Sequence, residues 1–292
     1  MRKTKYFVVS DVHSFYRPLW HALNKAGWSK RTKSHRLVVL GDIFDRGDET
    51  LQVYDFIRSI PKDRRILVKG NHEDLFLELL RKRFPQAHDF SNGTVKTFCA
   101  IAHYPEKSLD ASAVALDYLN GKYGEVDDSD GEAYRHAREF AYNRTLENFA
   151  EIKRLVIESG IPEWLQSDEW VDYFELKDYV MVHSFIPIGY DWRTAAPDSA
   201  WKEARWDCPF RLFDDGCFNE PGKTLVCGHW HAAGFREHYE KTAFDDMDFY
   251  YKPEIHAIYK HESDNPECGK AIIAIDACTA ISNMVNVLTL EE

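Results

Sequence analysis

Three times in about its first eighty residues the chain repeats one pattern: a short apolar run, an abrupt polar stop, then residues at helical spacing. The runs are Tyr6-Phe7-Val8-Val9, Leu37-Val38-Val39-Leu40 and Arg65-Ile66-Leu67-Val68. Short β-branched runs bounded by turn residues read as buried strands. Each is followed by a helical stretch: Phe15, Leu19, Leu23 and Ala26 before Gly27; Leu51, Tyr54, Ile57 and Ile60 before Pro61; then Asp74 to Lys82. Asp48 and Glu49 suit the first turn of the second helix. Strand and helix in strict alternation predict a layered α/β sheet.

The stops between strand and helix carry the chemistry, because ligands of an open α/β sheet bind outside the carboxyl ends of its strands. The first run ends in Ser10-Asp11-Val12-His13, and alternate positions of an extended chain point the same way, so Asp11 and His13 are expected to reach one ion. The second ends in Gly41-Asp42-Ile43-Phe44-Asp45-Arg46-Gly47, the third in Gly70-Asn71-His72-Glu73. Two carboxylates and a guanidinium crowded at one strand end are costly to fold around. A cation and an anionic substrate would complete their charge balance.

From Phe84 to about Gln166 the rhythm breaks. Ser91-Asn92-Gly93-Thr94 reads as a turn. Leu109–Leu119 and Glu132–Glu158 read as helices joined by an acidic, solvated connector, Gly121 to Gly131. The domain expectation is one domain over 1–292 with a helical insertion at 84–166, whose role is substrate access or structure alone. Strands resume at Tyr179–Val182, ending in His183-Ser184, and at Thr224–Cys227, ending in Gly228-His229-Trp230-His231. Ala271–Ile275 and Met284–Leu290 are expected to close the chain as a hairpin. Trp192, Trp201, Trp206 and Phe210 are open to three readings, core, substrate platform or interface, with core the first choice.

Composition narrows the function class. The chain has 292 residues, 44% hydrophobic and 29% charged, enough for a full core. A net charge of −11 argues against broad non-specific nucleic-acid binding, though not against a small positive site. The six cysteines form no C-x-x-C pair, so zinc ribbons and redox motifs are not expected. The basic start precedes an apolar run too short for a signal peptide, and nothing later is long enough to span a membrane. The expectation is a cytoplasmic protein with reduced thiols.

Asp11, His13, Asp42, Asn71, His183, His229 and His231 all fall at expected strand ends. Singly, each has a plain structural reading: Asp11 or Asp42 as a helix cap, Asn71 as a turn residue, His183 as a core histidine, the last two as packing around Trp230. Jointly, carboxylate, imidazole and amide suit a borderline divalent metal such as manganese, iron or zinc. Seven ligands exceed one tetrahedral ion but suit two ions sharing a carboxylate. Ions about 3.5–4 Å apart clamp the attacking and leaving oxygens of a phosphoryl group and lower the pKa of a bridging water.

These blocks resemble the calcineurin-like metallophosphoesterase superfamily, and Asp45-Arg46-Gly47 with Asn71-His72-Glu73 is similar to its phosphoprotein phosphatase branch, especially the short bacterial and phage enzymes. Weaker likeness runs through Asn92-Gly93, Ile161-Pro162, Trp201 to Arg205 and Ile275-Asp276. The resemblance implies a two-sheet β-sandwich flanked by helices. It implies a first metal on Asp11, His13 and His231, a second on Asn71, His183 and His229, and Asp42 bridging them. It implies His72 as general acid oriented by Asp45, with Arg46 and Asn71 binding phosphate. Arg205 is the candidate second phosphate ligand, its alternative being a partner for Glu203 or Asp207. The sequence departs from that branch at Ser10 and Ser14, where glycines are usual, and in having both His229 and His231, as the wider superfamily does.

The function expected is metal-dependent hydrolysis of a phosphomonoester, manganese being the first choice of ion and protein phosphoserine or phosphothreonine the first choice of substrate. The alternatives are a nucleotide or dinucleoside polyphosphate hydrolase, a phosphodiesterase, and, from another class, a non-catalytic binding protein on the same fold.

Overall fold

The computed structural model describes residues 3–109, 132–240 and 252–292. It divides into two compact units, residues 1–74 with 167–292, and residues 75–166.

The first unit holds two five-stranded sheets. Its strands are β1 (Lys5–Val9), β2 (His35–Leu40), β3 (Arg65–Val68), β4 (Trp170–Val171), β5 (Tyr173–Leu176), β6 (Tyr179–Val182), β7 (Thr224–Cys227), β8 (Tyr259–Glu262), β9 (Ala271–Ala274) and β10 (Leu288–Glu291). One sheet has the order β10-β1-β2-β3-β4 and the other β5-β6-β7-β9-β8. Parallel strands form the middle of each: β1 to β4 in the first, β6, β7 and β9 in the second. Antiparallel strands close the edges at β10, β5 and β8.

Side chains alternate along the strands as a sandwich requires. Val8, Val38, Leu40 and Val68 of the first sheet pack with Met181, Val226 and Ile273 of the second in one buried cluster. The neighbouring positions Val180, Val182, Leu225, Cys227, Ile272 and Ala274 face the other way, into a cluster with Phe185, Trp192, Trp201, Phe210 and Phe235. Helices α1 (Tyr16–Lys25) and α2 (Thr50–Arg58) follow β1 and β2. In α1, Leu19 and Leu23 are buried, as their spacing predicts. In α2 the buried face is Val53, Phe56 and Ile57, turned from the expected Leu51 and Tyr54. The helix starts at Thr50, so Asp48 precedes it, and Glu49 pairs with Arg17 instead of capping.

The C-terminal hairpin does not form. β9 lies between β7 and β8, while β10 crosses to the first sheet and pairs with β1, Lys5 opposite Glu291. Between them Cys278 and Asn283 adopt left-handed backbone around a short helix, Thr279–Ser282. Pairing β10 with β1 covers an edge that would otherwise be bare. The strands without a sequence signal, β4, β5 and β8, are edge strands. β8 reads Tyr-Lys-His-Glu, with none of its residues buried.

The second unit is helical. Helix α3 (Asn71–Arg81) leads out of the first unit; α4 (Ala87–Ser91), α5 (Thr94–Ile101) and a long helix, Glu132–Glu158, follow. A capping box between Gln86 and Asp89 starts α4. Phe98 packs against Phe76 and stacks on Phe149, so α5 joins the long helix to α3. The acidic connector and most of the expected helix from Leu109 lie outside the described residues. No helix among the described residues is long and apolar enough to cross a membrane.

Candidate metal centre

The loops leaving β1 and β2 run side by side. His13 N–H donates to the Asp42 carbonyl at 2.9 Å and Ser14 N–H to that of Ile43 at 2.8 Å. The backbone here is not the extended chain assumed from the sequence. Asp11, His13, Asp42, Asp45, Arg46 and His229 all have φ between +49° and +74°. Non-glycine residues are uncommon there, and such backbone gathers at functional sites. Thus Asp11 and His13 share a site through consecutive tight turns, not through strand alternation. Two glycines permit the crowding. At Gly41, φ +76°, a Cβ would lie 2.5 Å from the Gly70 backbone; at Gly228 it would lie 2.2 Å from Asp11 Oδ2.

The second sheet is tied in by its own strand ends. His183, after β6, reaches the Leu40 carbonyl with Nδ1 at 2.8 Å. His229, after β7, donates its backbone N–H to Asp11 Oδ2 at 3.0 Å, and the Ser10 hydroxyl donates to the same oxygen. That serine hydroxyl therefore serves Asp11 directly.

Asp42 is the hub, and its two oxygens face different imidazoles. Oδ2 is 3.7 Å from His13 Nε2 and 3.9 Å from His72 Nε2. Oδ1 is 3.5 Å from His183 Nε2. With Nδ1 of His13 on the Phe44 carbonyl and Nδ1 of His183 on that of Leu40, both rings carry a proton on Nδ1 and point Nε2 inward. Asn71 Oδ1 lies 2.7 Å from His183 Nε2. Two groups of donors result, His13 with Asp42 and His72, and Asp42 with His183 and His229, each spanning less than 4.8 Å and sharing Asp42.

The electrostatics match this arrangement. Burial, then repulsion from His72, holds His13 well below its ordinary pKa. Burial, then His183, pulls His229 down to about 3. Burial works against the Asp42 carboxylate, but the surrounding imidazoles outweigh it and keep its pKa low. Asp11 is driven well above the carboxylate range by burial, then by Asp276 and Asp42. Neutral imidazoles aimed inward among crowded buried carboxylates are the donor set a divalent cation requires, so the residues fit one.

Beside the hub, His72 Nδ1 lies 2.7 Å from Asp45 Oδ2, both residues being buried. Burial opposes the charged ring, yet Asp42 and Asp45 outweigh it and raise the His72 pKa. Arg46, exposed, brings a guanidinium nitrogen 3.5 Å from His72 Nε2.

His231 stands outside both donor groups, its Nε2 facing Asp276 Oδ2 at 3.8 Å. Two expectations change. Arg205 is buried, and both its terminal nitrogens are held by carboxylates, Asp74 at 2.6 Å and Asp172, rather than by Glu203 or Asp207. A guanidinium neutralised by two carboxylates has no charge left for a phosphate, so Arg205 is a structural brace rather than a phosphate ligand. Trp206 is not core: it is 50% exposed, while Trp192, Trp201 and Phe210 are buried as expected.

Two residues at the site had no assigned role. Glu73 accepts backbone N–H groups of Asp42 (2.9 Å), Ile43 (3.1 Å) and Gly70 (2.7 Å), clamping the loops after β2 and β3 together. Burial, then Asp42, pushes its carboxyl up to about 7. Its position in Gly70-Asn71-His72-Glu73 was the available signal. Asp276, after β9, accepts the Cys278 N–H at 2.7 Å and faces His231. Its place at a strand end and the weaker family likeness at Ile275-Asp276 were the signals.

Among solved structures, the chain is similar to a putative diadenosine tetraphosphatase (10% identity over 99% of this chain and 93% of that one, TM-score 0.45). It is similar also to a cold-active protein-tyrosine phosphatase of a psychrophilic Shewanella (16%, 98% and 75%, TM-score 0.43). A third is a protein serine/threonine phosphatase from Saccharomyces cerevisiae (13%, 78% and 61%, TM-score 0.36). No curated protein gives a significant match. The model of the calcineurin-like phosphoesterases matches residues 4–233, a span that holds all the donors around Asp42, and the chain belongs to that family.

Proposed function

We propose that the protein hydrolyses phosphomonoesters at a centre of two divalent cations, manganese first among them, with phosphorylated protein side chains as the substrate class. The observation that carries this is the division of Asp42, whose two carboxylate oxygens face two separate sets of inward-turned imidazoles. Asp11 and His13 belong to one side, Asn71, His183 and His229 to the other. His231, beside Asp276 on the Asp11 side, would complete the first set. When bound, such ions supply Lewis-acid charge and an acidified water at neutral pH.

The chain's own residues do the rest. Arg46 holds phosphate oxygens in its planar fork. His72 carries a proton on Nε2, because Asp45 takes its Nδ1–H and favours the charged ring. As water's oxygen bonds to phosphorus and the bond to the leaving oxygen breaks, His72 delivers that proton to the leaving oxygen. Burial of the dyad excludes the competing water that would otherwise hydrate it. A cytoplasmic setting, reducing for six free cysteines, goes with this reading.

The test is a side-by-side assay, with manganese, of a phosphopeptide, diadenosine tetraphosphate and bis(p-nitrophenyl) phosphate. The phosphopeptide should be turned over with the highest kcat/KM. Preference for either of the others would move the assignment to polyphosphate or diester hydrolysis.

A further inference from the structure

One stretch of this acidic protein contains no acid. Between Asp11 and Asp42 lie six lysines and arginines and no Asp or Glu, although the chain carries a net charge of −11. Of these six, only Arg17 has a carboxylate partner among the described residues, Glu49 at 3.0 Å. The others are Lys25 at the end of α1, Lys30, Arg31 and Lys33 in the turn beyond it, and Arg36 at the start of β2. That turn is braced. Arg64 donates to the Lys30 and Thr32 carbonyls at 2.7 Å and 3.0 Å, and Arg36 to that of Lys33 at 2.8 Å. The Ser29 N–H donates to His35 Nδ1 at 3.1 Å, fixing the turn to β2.

Beside the turn is a groove of about 720 Å³ lined from α1, α2 and the turn itself. Four aromatic rings meet along it. Trp20, 43% exposed, lies near-parallel to Tyr16 with centroids 6.5 Å apart and edge-on to Phe56 at 5.8 Å. Trp28 stands edge-on to Phe56 at 5.5 Å. Lys30 and Arg31 line the same groove, whose one acid is Asp55, and Lys30 Nζ donates to the Ser59 hydroxyl beyond α2 at 3.3 Å. A single exposed indole is ordinary, but four rings beside cations without counter-charges offer a partner both apolar area and charge. The groove is also distant from the candidate metal centre. Trp28 to Arg31 precede β2 and Asp42 follows it, and a strand of that length spans about 20 Å.

The chemistry of the groove selects its occupant. Unpaired cations attract carboxylates, and the rings pack best against other rings. An acidic segment of polypeptide bearing aromatic side chains supplies both, and its backbone N–H groups can donate to Asp55. A nucleic-acid strand would bring phosphates against Asp55 and against the negative charge of the rest of the chain. We propose that this groove is a docking site for an acidic, aromatic-bearing segment of a partner protein, separate from the metal centre. Charge steers the encounter and the rings hold the segment in place, so binding weakens as salt rises.

The test is calorimetric titration of the full chain with a short peptide of alternating glutamate and tyrosine. A glutamate–serine peptide of the same length and a single-stranded oligothymidylate are titrated beside it. The tyrosine peptide should bind at a single site, more weakly as salt rises, and more tightly than either of the others. Trp20→Ala should weaken it about 5-fold, and Lys30→Glu combined with Arg31→Glu about 10-fold or more. These substitutions replace exposed side chains, so the melting midpoint and the hydrolysis of p-nitrophenyl phosphate with manganese should match the native protein. Bound peptide should not inhibit that hydrolysis. No binding, equal affinity for the serine peptide, or an affinity unmoved by both variants overturns the proposal. Tighter binding of oligothymidylate overturns it in favour of nucleic acid. Competitive inhibition by the peptide overturns it by placing the peptide at the metal centre. A protein that binds the tyrosine peptide as expected but hydrolyses no ester upholds the docking site and refutes the phosphomonoesterase reading.

Discussion

His72 and Asp42 sit less than 4 Å apart, yet their environments predict opposite consequences when each loses its charge. His72→Asn removes a proton donor and leaves Asp11, His13, Asp42, Asn71, His183 and His229 in place. Its kcat should fall by ~10²–10⁴ on a phosphopeptide, with metal content unchanged by elemental analysis. The loss should be smaller for p-nitrophenyl phosphate, whose leaving group needs little protonation; equal losses would remove His72 as the acid. Asp42→Asn strips the one carboxylate common to both donor groups. Calorimetric titration with manganese should show both binding events weakened together, by about 10-fold or more. Two ions bound as tightly as in the native protein would show that Asp42 does not bridge them.

At the level of elements, charge also decides how an edge is secured. β5 carries Glu175, which accepts from Arg193 at 2.7 Å and 2.9 Å and from Lys223 at 3.1 Å. Arg193 also reaches Glu220 and lies over the Trp192 ring, 3.8 Å from its centroid. Arg193 holds the Glu175 carboxyl below its ordinary pKa against a smaller effect of burial, and Lys223 adds to that pull. A carboxylate with a depressed folded pKa stabilises above its unfolded pKa, about 4.3, and loses that contribution as pH falls through the folded value. Being partly exposed, the network is worth about 0.5–1 kcal/mol. Glu175→Gln should therefore melt lower than the native protein at pH 6, and the difference should shrink toward pH 3. A constant difference across that range would mean the cost comes from packing rather than from the ion pairs.

Across the whole molecule, the centre is a concentration of buried charge that folding alone leaves poorly compensated. Asp11, Asp42, Glu73 and Asp276 are each at most 2% exposed. An ion that binds only the folded protein stabilises it by about 2.7 kcal/mol at a hundred times its Kd. Stripping metals with a chelator should lower the melting midpoint by about 5 °C or more, and excess manganese should restore it. A midpoint indifferent to both treatments would count against any cation among these donors. The same concentration of charge explains why so much of the centre was legible. Asp42, Asn71, His183 and His229 follow short apolar strands, and residues so placed in parallel sheets have few destinations. Arg205 was legible as charged but not as buried, because Asp74 and Asp172, its partners, are far from it along the chain.

Local pattern settled the central strands, the helices after them and the inventory of donors, since hydrophobic period and strand-end chemistry act over a few residues. Tertiary structure alone decided that β10 leaves its expected partner for β1, that Asp11 and His13 meet through left-handed turns, and that Trp206 faces outward beside His229. Those outcomes depend on which distant segments compete for an edge, a carbonyl or a charge, and such competition has no trace in any single stretch of sequence.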